Sequence, residues 1–182
     1  MVEDFPYTTA PDPISVLFHP SAVPVIDVFR SLGSFDGQYD LVLLDGPEQS
    51  LAAFTHPDTA KGIISDALLL AFALTRQRGR AFRLRPVGSR RGSRDEYCLM
   101  TLISSSRFPA SELAREAADA LGVAALDFLP SLAGELIRQI DLGSIVFDPP
   151  SLAEFRAILG IEEPVETVSL KPQGRPGFNL HV

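Results

Sequence analysis

The sequence predicts an α/β fold in a single domain, with an α+β arrangement as the alternative if its predicted hairpin dominates. Three observations lead to this prediction. A short apolar run between turn signals is typical of a buried strand, and a later arginine-rich stretch alternates in polarity like a β-hairpin. The last third of the chain has the spacing of amphipathic helices. We therefore expect a mixed sheet, an Arg-rich β-hairpin and a helical C-terminal third.

The predicted globular domain spans residues 14–170, between an irregular N-terminal arm (1–13) and a C-terminal tail (171–182). The arm is rich in proline and the tail in proline and glycine, which disfavour helices and strands. A chain of 182 residues can bury roughly 70% of its unfolded surface, so this domain needs no disulfide or metal to fold.

The first half of the domain alternates between strand and helix patterns. Residues 14–18 are predicted as the first strand, and 22–32 as a helix that ends at Gly33. The run Leu41–Leu44, which lies between two Asp-Gly pairs, predicts a strand buried on both faces. Residues 59–78 form the longest predicted helix, and its nearly continuous apolar surface places it in the core or at a subunit interface.

The arginine-rich stretch supplies the predicted hairpin. In residues 82–85, Phe and Leu alternate with Arg, and residues 96–104 are a second apolar run of β type. The Gly/Ser/Arg loop between them predicts that the two strands pair as a hairpin with a long tip, or lie as neighbours in the sheet.

Helix signals dominate the rest of the chain. Ser111 is an N-cap candidate for one helix, and Pro130 starts a second. Ser151 and Glu154 have the spacing of a capping box for a third helix, which ends at Gly160. Two brief strands complete the prediction, at 144–147 and 165–170.

The charges are distributed unevenly along the chain. The net charge is −7, yet residues 76–94 hold eight of the 14 arginines and no acidic residue, which leaves −15 for the rest of the chain. An acidic body repels nucleic acid and anionic membranes over most of its surface. Any contact with a polyanion would therefore use the arginine-rich stretch.

The single cysteine, Cys98, rules out an internal disulfide and lies in an apolar run typical of a buried packing residue. The N-terminus lacks the basic and apolar regions of a signal peptide. The longest apolar run, residues 62–74, contains Asp66 and is shorter than the roughly 20 residues that span a bilayer. These features predict a soluble, cytoplasmic protein that does not enter membranes.

The arginine-rich stretch is also the strongest candidate for a binding site. Guanidinium groups donate planar, bidentate hydrogen bonds to phosphate and carboxylate. Gly88 and Gly92 would let backbone amides approach an anion as well. The predicted anion- or partner-binding residues are Arg83, Arg85, Arg90, Arg91 and Arg94. The alternative is that these arginines neutralise the chain's own excess carboxylates, within one chain or across a dimer.

Three further residues are weaker candidates: Arg107, Asp45 and His56. Asp45 follows the predicted buried strand, where open α/β sheets bind ligands, although Asp-Gly is equally ordinary turn chemistry. The histidines and the cysteine lack metal-binding spacing, and no phosphate-binding glycine loop or serine-nucleophile elbow occurs. The sequence thus predicts no metal site, no cofactor and no identifiable catalytic residue.

Three functions from different classes fit these features. The preferred one is a small interaction or regulatory module whose Arg-rich hairpin docks an acidic protein surface or a second subunit, as in a homodimer. The first alternative is an enzyme for a small anionic substrate, in which arginines, Arg107 among them, hold the anion and Asp45 or His56 transfers protons. That alternative requires these groups to converge in one cleft. The second alternative is a nucleic-acid-binding protein, which the acidic body disfavours.

Overall fold

The structure is a computed structural model that describes residues 14–33, 41–108, 110–123 and 128–161. Seven α-helices make up most of these residues. The helices are α1 (Val23–Gly33), α2 (Asp45–Ala52), α3 (Pro57–Gln77), α4 (Arg94–Ser105), α5 (Glu112–Leu121), α6 (Leu129–Leu142) and α7 (Leu152–Leu159). Within these ranges the only sheet is one antiparallel pair, β1 (Val16–Leu17) with β2 (Arg91–Gly92). The fold is therefore mainly α, and the predicted α/β or α+β fold with a mixed sheet is wrong.

The core is one cluster of apolar side chains to which all seven helices contribute. Helix α3 packs on α1, α2 and α6, and its buried face includes Leu70 and Leu74, so the prediction of a core helix is confirmed. Helix α4 packs on α5 and α6, while Phe155 of α7 stacks on Tyr97 of α4 with 5.7 Å between ring centres. No helix in the described part of the chain is both long and apolar enough to cross a membrane.

The predicted hairpin is also wrong, because its second strand is helix α4. Ser93 caps this helix: its hydroxyl accepts from the Glu96 amide (3.2 Å), and the Glu96 carboxylate accepts from the Ser93 amide (2.7 Å). Almost every side of α4 is buried, so its sequence shows a continuous apolar run instead of a helical period. Residues 79–90, which include the predicted first strand of the hairpin, are irregular chain.

The apolar run Leu41–Leu44 is a 3₁₀ turn that leads into α2, not a buried strand. Leu44 is buried, whereas Val42 and Leu43 are exposed. Asp45 begins α2, where a carboxylate interacts favourably with the positive end of the helix dipole. The Asp-Gly pair that suggested the end of a strand therefore starts a helix.

The remaining helix predictions are confirmed. Helix α5 ends at Gly122, whose φ of 74° lies in the left-handed region that glycine favours. Helix α7 begins with the predicted capping box at Ser151 and ends at Gly160. The predicted strand at 144–147 is irregular chain, and the one predicted at 165–170 lies outside the described residues.

The predicted first strand, 14–18, is reduced to β1, which pairs with β2 so that Val16 lies opposite Gly92. This pairing joins the arginine-rich stretch to the chain just before α1. Gly92 is buried, and a Cβ on it would lie 2.2 Å from the ring of the buried Phe18. Glycine is therefore required here for close packing.

We expect Gly92→Ala to lower the free energy of unfolding by about 1–3 kcal/mol, because the added methyl group must displace Phe18 from its buried position. Gly134→Ala is the control, since its new Cβ in the interior of α6 meets nothing within 4 Å. That substitution should raise the free energy of unfolding by about 0.5–1 kcal/mol. Urea denaturation measures both changes, and equal stability of the two variants would contradict the packing of Phe18 on Gly92.

Candidate functional site

Two buried carboxylates hold the arginine segment, residues 76–94, through its backbone. Asp95 and Glu96 lie side by side in the first turn of α4, and neither is more than 2% exposed. Asp95 accepts a hydrogen bond from the amide of Arg83 (3.0 Å). Glu96 accepts one from the amide of Arg85 (2.9 Å). Because the backbone supplies these donors, neither carboxylate draws the Arg83 or Arg85 side chain inward.

A third buried carboxylate, Asp27 of α1, extends this arrangement. Both of its oxygens accept from the amide of Gly88 (3.0 and 3.1 Å). Arg30, one turn later in α1 and also buried, bridges Asp27 (2.9 Å) and Glu96 (2.7 and 3.2 Å). It also donates to the carbonyl of Ser89 (2.7 Å). One guanidinium thus joins α1, α4 and the arginine segment.

Asp95 is paired with arginines of the segment itself. The buried Arg78, just after α3, donates to Asp95 (2.9 Å). The half-exposed Arg80 approaches both oxygens of the same carboxylate (3.0 and 3.3 Å). The Arg78 guanidinium also lies 3.7 Å from the centre of the Phe82 ring, a cation–π contact. Arg78 and Arg80 of the segment are therefore internal counterions.

These contacts determine the pKa values of the buried groups. Burial alone would raise the pKa of the Asp95 carboxyl, but the hydrogen bonds and positive charges around it outweigh burial and lower the pKa. Burial also lowers the pKa of Arg78, although Asp95 opposes this effect. Burial lowers the pKa of Arg30 too, but Glu96 and Asp27 together raise it above the ordinary value. Asp95 and Arg30 are thus held in their charged forms.

Three of the predicted binding residues lie along the start of the described chain. Arg85 approaches the carbonyl of Ile14 (3.4 Å), and Arg90 approaches the carbonyl of Phe18 (3.4 Å). The Arg91 guanidinium lies 3.5 Å from a serine hydroxyl in the same stretch. These are long, weak hydrogen bonds. None of the three arginines pairs with a carboxylate in the described part of the chain.

The other two predicted residues, Arg83 and Arg94, line an open cleft of about 520 Å³ between the arginine segment and the end of α7. We call it the arginine cleft. Among the described residues, its lining consists of Arg80, Arg83, Arg94 and Asp95, together with Ile14 and residues 157–160. The Arg83 side chain is exposed, and no described residue forms an ion pair with its guanidinium. The cleft therefore brings together three guanidinium groups and an apolar wall.

The weaker candidates do not join this cleft. Arg107 pairs with Asp141 and donates to the carbonyl of Phe147 (2.8 Å). It follows the C-terminal end of α4, a helix of 12 residues and so about 18 Å long, whereas the cleft lies at the N-terminal end. Asp45 starts α2 and His56 caps α3; both are exposed and neither lines the cleft. The groups that the enzyme alternative requires are therefore not brought together.

Sequence reasoning missed the residues that anchor the segment: Asp27, Arg30, Asp95 and Glu96. One signal was present for the last two. Ser93 and Glu96 have the S-x-x-E spacing of a capping box, which places a helix start and its first-turn carboxylates at this point. Asp27 and Arg30 have only the i,i+3 spacing of an ordinary helix pair, which gives no sign of a distant partner.

Cys98 lies within α4 and is fully buried, so the prediction of a buried cysteine is confirmed. Burial raises the pKa of its thiol to about 12, which keeps the thiol protonated at neutral pH. Cys98 is thus a packing residue. Among the residues that the structure describes, no group of His, Cys, Asp and Glu side chains could hold a metal ion.

Comparisons with protein-family models, with curated proteins and with solved structures give no match for this chain. The arginine segment, the buried carboxylates and the arginine cleft are therefore the features that indicate a function. These features come from separate parts of the sequence and meet at the start of α4.

We expect Asp95→Asn to lower the free energy of unfolding by about 3–5 kcal/mol, because it leaves the buried Arg78 without a charged partner. Chemical denaturation at neutral pH measures the loss. The control is Asp119→Asn, which changes an exposed carboxylate on α5 and should alter stability by no more than about 0.5 kcal/mol.

The stability that Asp95→Asn loses relative to wild type should depend on pH. Because the pKa of Asp95 is lowered in the folded state, its stabilisation is complete above the unfolded value of about 3.9 and disappears as pH falls through the folded value. The stability difference from wild type should stay constant down to about pH 5 and shrink below about pH 4. A difference that persists unchanged in acid would contradict the ion pair.

Cys98 should resist alkylation in the native protein. With a pKa near 12, the buried thiol forms little thiolate at mildly alkaline pH, whereas an unfolded cysteine titrates near about 8.5. Iodoacetamide should modify the native protein at least about tenfold more slowly than protein unfolded in guanidinium, as followed by mass spectrometry. Similar rates in the two states would mean that α4 does not bury this residue.

Proposed function

We propose that this protein is a small, non-enzymatic interaction module of the cytoplasm that docks an acidic partner on the arginine segment. The observation that supports this most directly is that buried carboxylates hold the backbone of the segment, while the side chains of Arg83, Arg90 and Arg91 are exposed. A segment that needed its arginines only as counterions would turn every guanidinium toward a carboxylate. Among the described residues, Arg78 and Arg80 pair with Asp95, whereas Arg83, Arg90 and Arg91 form no ion pair.

The charge distribution favours an acidic partner. The arginine segment contributes eight positive charges to a chain whose remainder sums to −15. A positive surface on an otherwise acidic protein attracts an acidic partner to one place and repels it elsewhere. Such a partner can be another protein or a second copy of this acidic chain.

The anchored backbone favours binding as well. Ordering side chains and loops on association costs roughly 0.5–1.5 kcal/mol per immobilised side chain, in addition to the cost of ordering the backbone. Asp27, Asp95 and Glu96 already hold the backbone of the segment through charge-assisted hydrogen bonds in the free protein. Binding then has to order only the ends of the arginine side chains.

The two alternative functions have less geometric support. The enzyme alternative needs Asp45, His56 and Arg107 beside the arginine segment, and they lie elsewhere. For nucleic acid, the described residues that line the arginine cleft include no aromatic side chain on which a base could stack. The acidic body would also oppose a polyanion beyond the immediate contact.

Replacing exposed arginines of the segment should abolish the binding of an acidic polymer. The variant carries Arg83→Ala, Arg90→Ala and Arg91→Ala, and a thermal-shift assay compares it with wild type in poly-glutamate, heparin and short nucleic acids. At about 100 times its Kd, poly-glutamate should raise the melting temperature of wild type by roughly 5–10 °C and leave the variant unshifted. The matched control replaces three exposed basic residues outside the segment with alanine: Lys61, Arg115 and Arg138.

The control loses the same number of positive charges, so it should respond as wild type does. If both variants lose the poly-glutamate shift equally, net charge alone decides binding. If no anion shifts the melting temperature of wild type, the proposal is contradicted. A larger shift with nucleic acid than with poly-glutamate would favour the nucleic-acid alternative. Light scattering of the free protein completes the test: a dimer that dissociates in the Arg83/Arg90/Arg91 variant identifies a second copy as the partner.

A further inference from the structure

We propose that a second copy of this chain docks on an apolar groove between α3 and α6 and forms an antiparallel dimer with two-fold symmetry. The docking surface goes beyond the proposed function, because it shares only Arg76 with the arginine segment and uses none of the exposed Arg83, Arg90 and Arg91. Its support comes from the apolar centre of the groove, the opposite charges at its two ends, and the symmetry that those charges allow.

The groove lies between two helices that run in opposite directions. Gly62, near the start of α3, lies beside Gln139, near the end of α6. The groove has a volume of about 730 Å³, and we call it the α3–α6 groove. The described residues that line it are Leu69, Phe72, Ala73, Thr75 and Arg76 of α3 with Phe128 and Leu132 of α6.

The centre of the α3–α6 groove is apolar and faces water. Leu69 keeps 51% of its surface exposed and Phe128 keeps 55%. Single exposed apolar residues are ordinary, but large ones that line a common groove form a patch, which is typical of a protein interface. Leu69 belongs to the ridge that Ser65 and Ala73 continue at intervals of four residues. Such a ridge can pack into the groove of a neighbouring helix pair.

The two ends of the α3–α6 groove carry opposite charges. Arg76 lines one end, where it is exposed and forms no ion pair with any described residue. At the other end lies Asp66, one turn before Leu69, with Glu135 of α6 near it. Glu135 is paired with Arg138 (2.9 Å), whereas no described residue forms an ion pair with Asp66. The basic end and the acidic end each therefore carry an unpaired charge.

The surroundings of Asp66 favour a cation from outside the chain. Burial raises the pKa of the Asp66 carboxyl and the charge of Glu135 raises it further, while Arg138 opposes both without reversing them. A positive charge placed beside Asp66 would stabilise its charged form. Arg76 of a second copy can supply that charge.

Symmetry brings the two ends together. Asp66 and Arg76 are ten residues apart in α3, about 15 Å along its axis, and Leu69 lies between them. A two-fold rotation about the centre of the groove exchanges its ends, so Arg76 of each copy meets Asp66 of the other. An isologous contact of this kind uses the same patch twice and closes after two copies. A second copy thus provides the required order of charges without any further condition.

Sedimentation velocity of the full chain measures the association. Wild type should form a dimer with a Kd of roughly micromolar order. Leu69→Gln should weaken the dimer at least about tenfold, because each dimer loses the burial of this leucine twice. The control is Leu17→Gln, which changes a leucine of β1 that is 65% exposed and lies beside the arginine segment, and it should alter the Kd by less than about twofold. Circular dichroism and melting temperature establish that every variant is folded.

Charge reversal tests the antiparallel pairing. Arg76→Glu and Asp66→Lys should each weaken the dimer at least about tenfold, because each variant alone places like charges together at both ends of the groove. An equimolar mixture of the two variants should form a heterodimer with a Kd within about threefold of the wild-type value, since every contact between the ends again joins opposite charges.

The outcomes separate this dimer from the proposed function. A wild type that stays monomeric at millimolar concentration would overturn the inference, and a mixture that does not restore association would overturn the antiparallel pairing. A dimer that persists in Leu69→Gln but dissociates in the Arg83/Arg90/Arg91 variant places the second copy on the arginine segment, which supports the proposed function and overturns this inference. Failure of poly-glutamate to bind, together with a dimer that Leu69→Gln dissociates, contradicts the proposed function and supports this one.

Discussion

Asp95 and Glu96 lie next to each other at the start of α4, and almost none of their surface reaches water. Removing a carboxylate from water costs several kcal/mol unless charged and hydrogen-bonding partners replace the solvent. These two obtain their partners from separate parts of the chain: Arg30 in α1, Arg78 after α3, and backbone amides of the arginine segment. Three helices and one irregular segment must therefore meet at one point, a condition that apolar packing alone does not impose.

This meeting point separates the charges that maintain the fold from those that face solvent. The buried carboxylates are balanced by Arg30 and Arg78, which are buried with them. Arg83, Arg90 and Arg91 remain exposed on the surface, and none of them pairs with a carboxylate in the described part of the chain. A protein with a net charge of −7 can in this way present a positive site of fixed shape.

How well the sequence predicts an element depends on where that element lies. Helices α5 and α7 each have one buried face and end at a left-handed glycine, and α7 also begins with a capping box, so periodicity and cap residues locate them. Helix α4 is buried on nearly all sides, and an apolar run without a period resembles a strand. Residues 82–85 alternate between apolar and charged side chains as a strand does. This pattern is the same whether their amides bond to another strand or to carboxylates, as they do here. The pairing of Gly88 with Asp27 spans 61 residues and leaves no local pattern.

Anchoring through amides also affects how this protein can evolve. Every residue except proline supplies a backbone N–H, so positions 83 and 85 can change side chain and keep their contacts with Asp95 and Glu96. Gly88 is different, because its φ of 81° excludes most other residues. Descendants of this protein could thus exchange the exposed arginines for other residues and acquire new partners on an unchanged helical scaffold, as variable loops do on antibody domains.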